Sequence, residues 1–146
     1  MKRYKPLVDK MYYIILVTSL IPIAALTVVS AFSPISLIVT LPVDLLVIYF
    51  LISPLFGYVE LRDDTLFIKY GLIMVKEIPY AKIRGTVKAR KFYSDSMVSL
   101  KNAMEHVNVR YNSFDIASVS VVDNDDFIRE LEARREARQT SASKPL

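Results

Sequence analysis

The 146-residue chain contains no cysteine, one histidine and only three glycines. Without cysteine it can build no disulfide scaffold, thiolate zinc site or cysteine nucleophile. That absence does not decide the compartment, since a cysteine-free domain folds on either side of a membrane. His106 stands alone, so no multi-histidine metal site can form. Its place at the start of a strand-like run reads as an exposed or capping histidine. Gly57, Gly71 and Gly85 are scattered and make no phosphate-cradling loop. Catalysis has little footing here, and neither an enzyme nor a bound cofactor or metal is expected.

Charge is also missing over one long stretch. Residues 11–56 hold a single charged residue, Asp44, and prolines at 22, 34, 42 and 54. Crossing the hydrocarbon core takes about 20 mostly apolar residues, so this block of roughly 46 makes two spans. Ser33-Pro34 divides it into spans of about 11–32 and 35–56, a helical hairpin with almost no loop. The first apolar run exceeds the core of a cleaved signal peptide, and a second span follows at once, so cleavage is not expected. Lys2, Arg3, Lys5 and Lys10 against Asp9 put most of the formal +4 beside the first span, while the 33–34 turn carries no charge. Lys and Arg favour the cytoplasmic side. Residues 1–10 then form a basic cytoplasmic N-terminus, and two crossings return the C-terminus to the same side. A positive balance placed there is no nucleic-acid signal.

Within the hairpin, Tyr12, Tyr13, Tyr49, Phe50 and Phe56 suit interfacial aromatic belts. Ala24, Ala25, Ser30 and Ala31 permit close helix approach. Pro22 and Pro42 each free one upstream carbonyl near mid-membrane. An ionised carboxylate such as that of Asp44 costs about 2.5–3.5 kcal/mol at helix centre on insertion scales. Counted across the turn, Asp44 lies one helical turn from Ser19 and Thr27. One reading is an Asp44 hydrogen-bonded to those hydroxyls, or to the carbonyl freed by Pro22, locking the hairpin. The other is a proton or ion relay, or a contact to another membrane protein.

From Gly57 onward the pattern changes to short strands between turn residues. Residues 58–61, 66–70, 72–78, 84–91, 97–101, 106–111 and 115–122 read as strands, with Asp63-Asp64 and residues 94–96 as turns and 80–83 as one helical turn. Such spacing predicts an antiparallel sandwich or small barrel. Asp123 then caps a helix of about 124–138, with Asp125 and Asp126 in its first turn and an apolar stripe of Phe127, Ile128 and Leu131. Capping explains these aspartates better than a calcium loop, whose remaining ligands are missing. Residues 132–138 lack an apolar face and read as a solvated extension, and 139–146 as a disordered tail.

Tyr58-x-x-Leu61, Asp63-x-x-Leu66-x-Ile68-x-Tyr70-Gly71 and Ile78-Pro79-Tyr80-x-x-Ile83 resemble the bacterial PH-like domain family known as YyaB-like. Ser99-Leu100, the alternation Val107-x-Val109-x-Tyr111 and Asp126-Phe127-Ile128-x-Glu130-Leu131 continue the resemblance through about residues 55–131. It implies a mainly-β domain over 57–138, a bent antiparallel barrel or sandwich capped by a C-terminal α-helix, commonly preceded by two membrane spans. It implies no catalytic residues.

The strongest site signal is a basic strand. Arg84, Lys88 and Arg90 share one face at period two, with Lys91 beside them. Close to a bilayer, each such charge adds about 1 kcal/mol of attraction to an anionic leaflet. A solvated strand face is the plainer explanation of the same residues. The expected function is a membrane-anchored PH-like binding or scaffolding module at the cytoplasmic face of a bacterial inner membrane. Its ligand would be anionic lipid headgroups or a protein partner taken by a sheet edge or the helix end. The alternative is an accessory subunit that docks into a membrane transporter or enzyme through the hairpin, with Asp44 as its contact.

Overall fold

The computed structural model describes residues 1–96 and 100–142. The chain begins with strand β1 (Lys2–Tyr4), then enters helices α1 (Lys10–Ser30) and α2 (Pro34–Ile52), the latter continued by a 3-10 turn, Ser53–Phe56. Both helices are long and apolar enough to span a membrane, over Lys10–Ser30 and Pro34–Phe56. The Asp9 side chain caps α1 by accepting from the Tyr12 N–H at 3.1 Å. Pro34 starts α2, where its fixed φ suits the first turn.

Strands β2 (Tyr58–Leu61), β3 (Thr65–Lys69) and β4 (Val75–Pro79) join β1 in an antiparallel sheet of order β1-β2-β3-β4. Strands β5 (Ile83–Arg90), β6 (Glu105–Tyr111) and β7 (Asp115–Val119) form a second antiparallel sheet in sequence order. Helix α3 (Asn124–Ala142) follows. The two sheets make a sandwich, with no closed barrel among the described residues. Alternation explains the core: Leu66 and Ile68 of β3 are buried, as are Val107 and Val109 of β6, and Phe127 and Leu131 of α3 close over them.

Residues 1–10 do more than carry charge. Lys2 pairs with Leu61 and Tyr4 with Val59, so β1 is the strand next to β2. The segment after it crosses to the other sheet, where Leu7 N–H donates to the Ser120 carbonyl at 2.9 Å and Pro6 bridges Val121. Tyr4 is buried, its ring edge-on to Phe127, and its hydroxyl donates to Asp126 at 2.7 Å. The helical hairpin is thus inserted between two neighbouring strands of one sheet.

Four expectations need correction. Residues 72–74 are a turn instead of the start of a strand. Tyr70 N–H donates to the Met74 carbonyl at 2.8 Å, and Gly71 takes φ +120°, which only glycine adopts readily. His106 is fully buried, and on the same strand the Asn108 amide donates to Asp95 at 2.7 Å. Residues 132–138 are tied down. The Arg134 guanidinium donates to the Arg62 carbonyl at 3.0 Å and that of Arg135 to the Arg84 carbonyl at 2.6 Å, so charged side chains do what an apolar stripe would. The helix then continues to Ala142, with Thr140 and Ser141 hydroxyls bonded to carbonyls one turn back. The strand expected over 97–101 lies mostly outside the described residues, although Leu100 bridges Val119 in parallel.

Candidate functional site

The junction between hairpin and sandwich is made of short polar side chains and close backbone approach. Asp9 works with both oxygens: one caps α1, and the other accepts from the Met104 N–H at 2.8 Å. Its own N–H donates to the Asn102 carbonyl at 3.2 Å. The buried Asn102 amide donates to the Pro54 carbonyl at 3.2 Å, so one residue grips the end of each helix. Gly71 lies against Ser53, where an added Cβ would come within 3.0 Å of the serine carbonyl. A narrow crevice of about 60 Å³ runs along the start of α1, with Met11, Tyr12 and Ile15 on one side and Phe92, Lys101 and Met104 on the other. The Lys101 ammonium donates to the Phe92 carbonyl at 2.9 Å. Burial pushes its pKa down, with Asp9 and Asp95 pulling it partly back up.

The basic residues of β5 are not equivalent. Lys88 is paired with Asp125 of α3 at 2.9 Å, and this hydrogen bond raises its pKa. Lys91 meets Asp95 at 3.3 Å. Arg84 and Arg90 are exposed and make no ion pair among the described residues. Arg90 and Lys91 lead directly into Phe92, which sits beside α1. Arg84 is about 20 Å away along the strand, and its carbonyl is held by Arg135. The four cations therefore do not form one free face.

Asp44 is buried between the helices, 5% exposed. Of the hydroxyls on the facing helix, that of Thr27 meets its carboxyl at 2.5 Å. The Thr27 oxygen also lies 2.9 Å from the Ile23 carbonyl one turn back. A second polar contact, Ser30 with Thr40 at 3.0 Å, ties the helices nearer the tip, and the Tyr12 hydroxyl reaches the Leu51 carbonyl at the base.

The acidic start of α3 is accounted for within the fold. Asp123 accepts from the Asp126 N–H at 2.9 Å as the cap. Asp126 takes the Lys2 ammonium at 2.5 Å and the Tyr4 hydroxyl, which hold its pKa below the usual carboxylate value. The Tyr4 phenol is pushed up to about 12, chiefly by burial and then by Asp126. No group of three acidic, histidine or cysteine side chains that could hold a metal occurs among the described residues.

Sequence reasoning missed the N-terminal arm, the grip of Asp9 and Asn102, and the exposed apolar turn at 72–75. Asp9 preceding an apolar run was a visible cap signal. The others depend on tertiary pairing that no local pattern carries.

A bacterial PH domain family model matches residues 57–135. No curated protein and no solved structure matches the chain. Modules of this kind typically bind other molecules and are not typically catalytic. The match covers more than half of the sequence, spans β2 through most of α3, and coincides with the sandwich described above. On the fold, the match and the two apolar helices before it, this chain belongs to the bacterial PH domain family.

Proposed function

We propose that the chain is a membrane-anchored binding module on the cytoplasmic face of a bacterial inner membrane, and that its ligand is an anionic lipid surface. The observation that carries this reading is the pairing of β1 with β2 across the inserted hairpin. Strands leaving both ends of the helix pair enter one sheet, so the sandwich is held at the bilayer in a fixed orientation, with no swinging tether. Lys5 and Lys10 beside the first span support the cytoplasmic orientation. Arg90, exposed and without an ion pair among the described residues, is the cation of β5 best placed for headgroups, with Lys91 beside it and held by Asp95 at 3.3 Å. Lys88 is engaged by Asp125, and Arg84 is farther along the strand than a Debye length of about 8 Å from that contact. The docking reading through Asp44 finds less support, because that carboxyl is turned into the hairpin against Thr27.

The test uses the full chain in nanodiscs of mixed phosphatidylethanolamine and phosphatidylglycerol, with the lipids retained by the protein counted by native mass spectrometry. Arg90→Glu with Lys91→Glu should lower the enrichment of phosphatidylglycerol clearly, and Arg84→Glu should lower it less. Equal enrichment in wild type and the double variant would remove the lipid reading and leave a protein ligand.

A further inference from the structure

Four consecutive residues on the sandwich surface are apolar and exposed: Leu72 at 49%, Ile73 at 77%, Met74 at 49% and Val75 at 57%. Leu72, Ile73 and Met74 form the β3–β4 turn, closed by the Tyr70–Met74 hydrogen bond and by the positive φ of Gly71, and Val75 opens β4. A turn this greasy is unusual on a surface that meets only water. Its position supplies the reason. Gly71 packs on Ser53, and Ser53 lies inside the apolar span Pro34–Phe56. Across the junction, Phe92, 64% exposed, shares the crevice with Ile15, which lies inside the span Lys10–Ser30. Ile15 is five residues into α1, a rise of about 7.5 Å from its first residue. Parts of the sandwich therefore lie beside residues inside the ends of both apolar helices.

The chemistry around the turn fits the same place. Lys69 and Lys76 flank it in sequence with no acidic residue between them, and Asp95 and Asp115 line the cavity on its other side, beside Met74 and Val75. Long basic side chains beside an apolar tip let the tip enter the acyl boundary while the ammonium groups remain among phosphates. Lys69 and Lys76 each lie over a tyrosine ring, of Tyr58 and Tyr111, at 5.8 and 5.5 Å. Because β1 and β2 fix the sandwich to the helix ends, the turn has no freedom to swing away from this level.

We propose that the β3–β4 turn with the first residue of β4, residues 72–75, and Phe92 on the α1 side, is a second, non-helical anchor inserted into the acyl–headgroup boundary of the leaflet facing the domain. This rests on the reading of α1 and α2 as membrane spans. A chain without cysteine allows a clean test. Spin labels are placed one at a time through Ile73→Cys, Ala25→Cys and Asp64→Cys in the full chain, in vesicles of phosphatidylethanolamine and phosphatidylglycerol. Asp64 lies in the turn at the opposite end of β3. Collision with oxygen, which concentrates in lipid, is compared with collision with a water-soluble nickel chelate. The oxygen-to-nickel ratio at Ile73 should exceed that at Asp64 several-fold and approach that at Ala25. A ratio at Ile73 equal to that at Asp64 puts the turn in water and overturns the anchor. Protection from both reagents puts it in a protein contact and overturns it as well. If Ala25 also reads as water, the spans themselves fail; if Ala25 reads as lipid, only the anchor does.

Discussion

The hairpin and the sandwich draw on the same Ile, Leu and Val, and dispose of them in opposite ways. Only 6% of the apolar window of each span is buried within the protein, while Val59, Leu61, Leu66, Ile68, Val107 and Val109 of the sandwich are fully buried. Lipid tails are as apolar as a leucine side chain, so two helices in a bilayer gain little from touching through such residues. The hydrogen bonds that join them are Tyr12 with Leu51, Thr27 with Asp44 and Ser30 with Thr40. The sandwich faces water and is held by apolar burial, worth roughly 25 cal/mol for each Å² removed from solvent. The two regions should therefore respond differently to the same kind of damage.

The sharpest way to break this comparison is to cut the regions apart. Replacing residues 10–56 by a short Gly/Ser linker should give a water-soluble domain that unfolds cooperatively, because β1 and β2 remain joined. A chain starting at Gly57 contains the whole family-matched segment but loses β1, Tyr4 and the Lys2–Asp126 pair. It should show no cooperative transition in urea. If the shorter chain melts as well as the linked one, the N-terminal arm is an ornament and the insertion argument is wrong.

Next in size is core damage. Phe127→Ala empties a fully buried site against Tyr4 and should cost about 3–5 kcal/mol of sandwich stability, measured on the linked domain in urea. In the full chain it should leave the lipid exposure of the hairpin unchanged. A matching loss in both regions would mean that they fold as one unit.

How much of this could be read in advance follows from the same contrast. The hairpin announces itself, since a run of residues with one carboxylate has few ways to exist in water. The alternations at 66–70 and 106–111 were equally plain, and so was the cap at Asp123. The turn at 72–74 was not legible, because Leu-Ile-Met reads as a strand when pattern alone is consulted. Only the Gly71 backbone and its seat on Ser53 show otherwise. The β1 pairing was hidden for another reason: its partner lies more than fifty residues along the chain, beyond the entire hairpin. The basic strand was visible as charge, but the partners Asp125 and Asp95 that occupy half of it were not.

A smaller effect belongs to the hairpin. Interhelical hydrogen bonds in membranes contribute about 0.6 kcal/mol on average and up to about 1.7 in double-mutant cycles. The cycle Thr27→Val, Asp44→Asn and both together should give a coupling in that range, read from helix-pair separation under steric trapping in lipid. Asp44→Asn alone should keep most of the contact, since an amide can still meet the Thr27 hydroxyl. A coupling of zero would mean that the helices are held only by their short turn and by the sandwich.

The smallest effect expected is a dependence on pH confined to the sandwich. His106 is buried, with Nδ1 3.0 Å from the Met104 carbonyl and Nε2 without a partner. Burial lowers its pKa from the ordinary 6.5, against a smaller upward pull from that carbonyl. Well above 6.5 the ring is neutral in both folded and unfolded chains, and stability does not change with pH on its account. As pH falls through 6.5, the unfolded chain takes a proton that the folded one refuses, so stability declines. Asp126 pulls the same way at lower pH: its depressed pKa gives stability that is present above 3.8 and lost as pH falls through and below it. Urea midpoints of the linked domain should therefore drop from neutral pH toward pH 5, and His106→Gln should flatten that part of the curve while leaving the steeper acid limb. An unchanged slope in His106→Gln would assign the neutral-range dependence to another group of the sandwich.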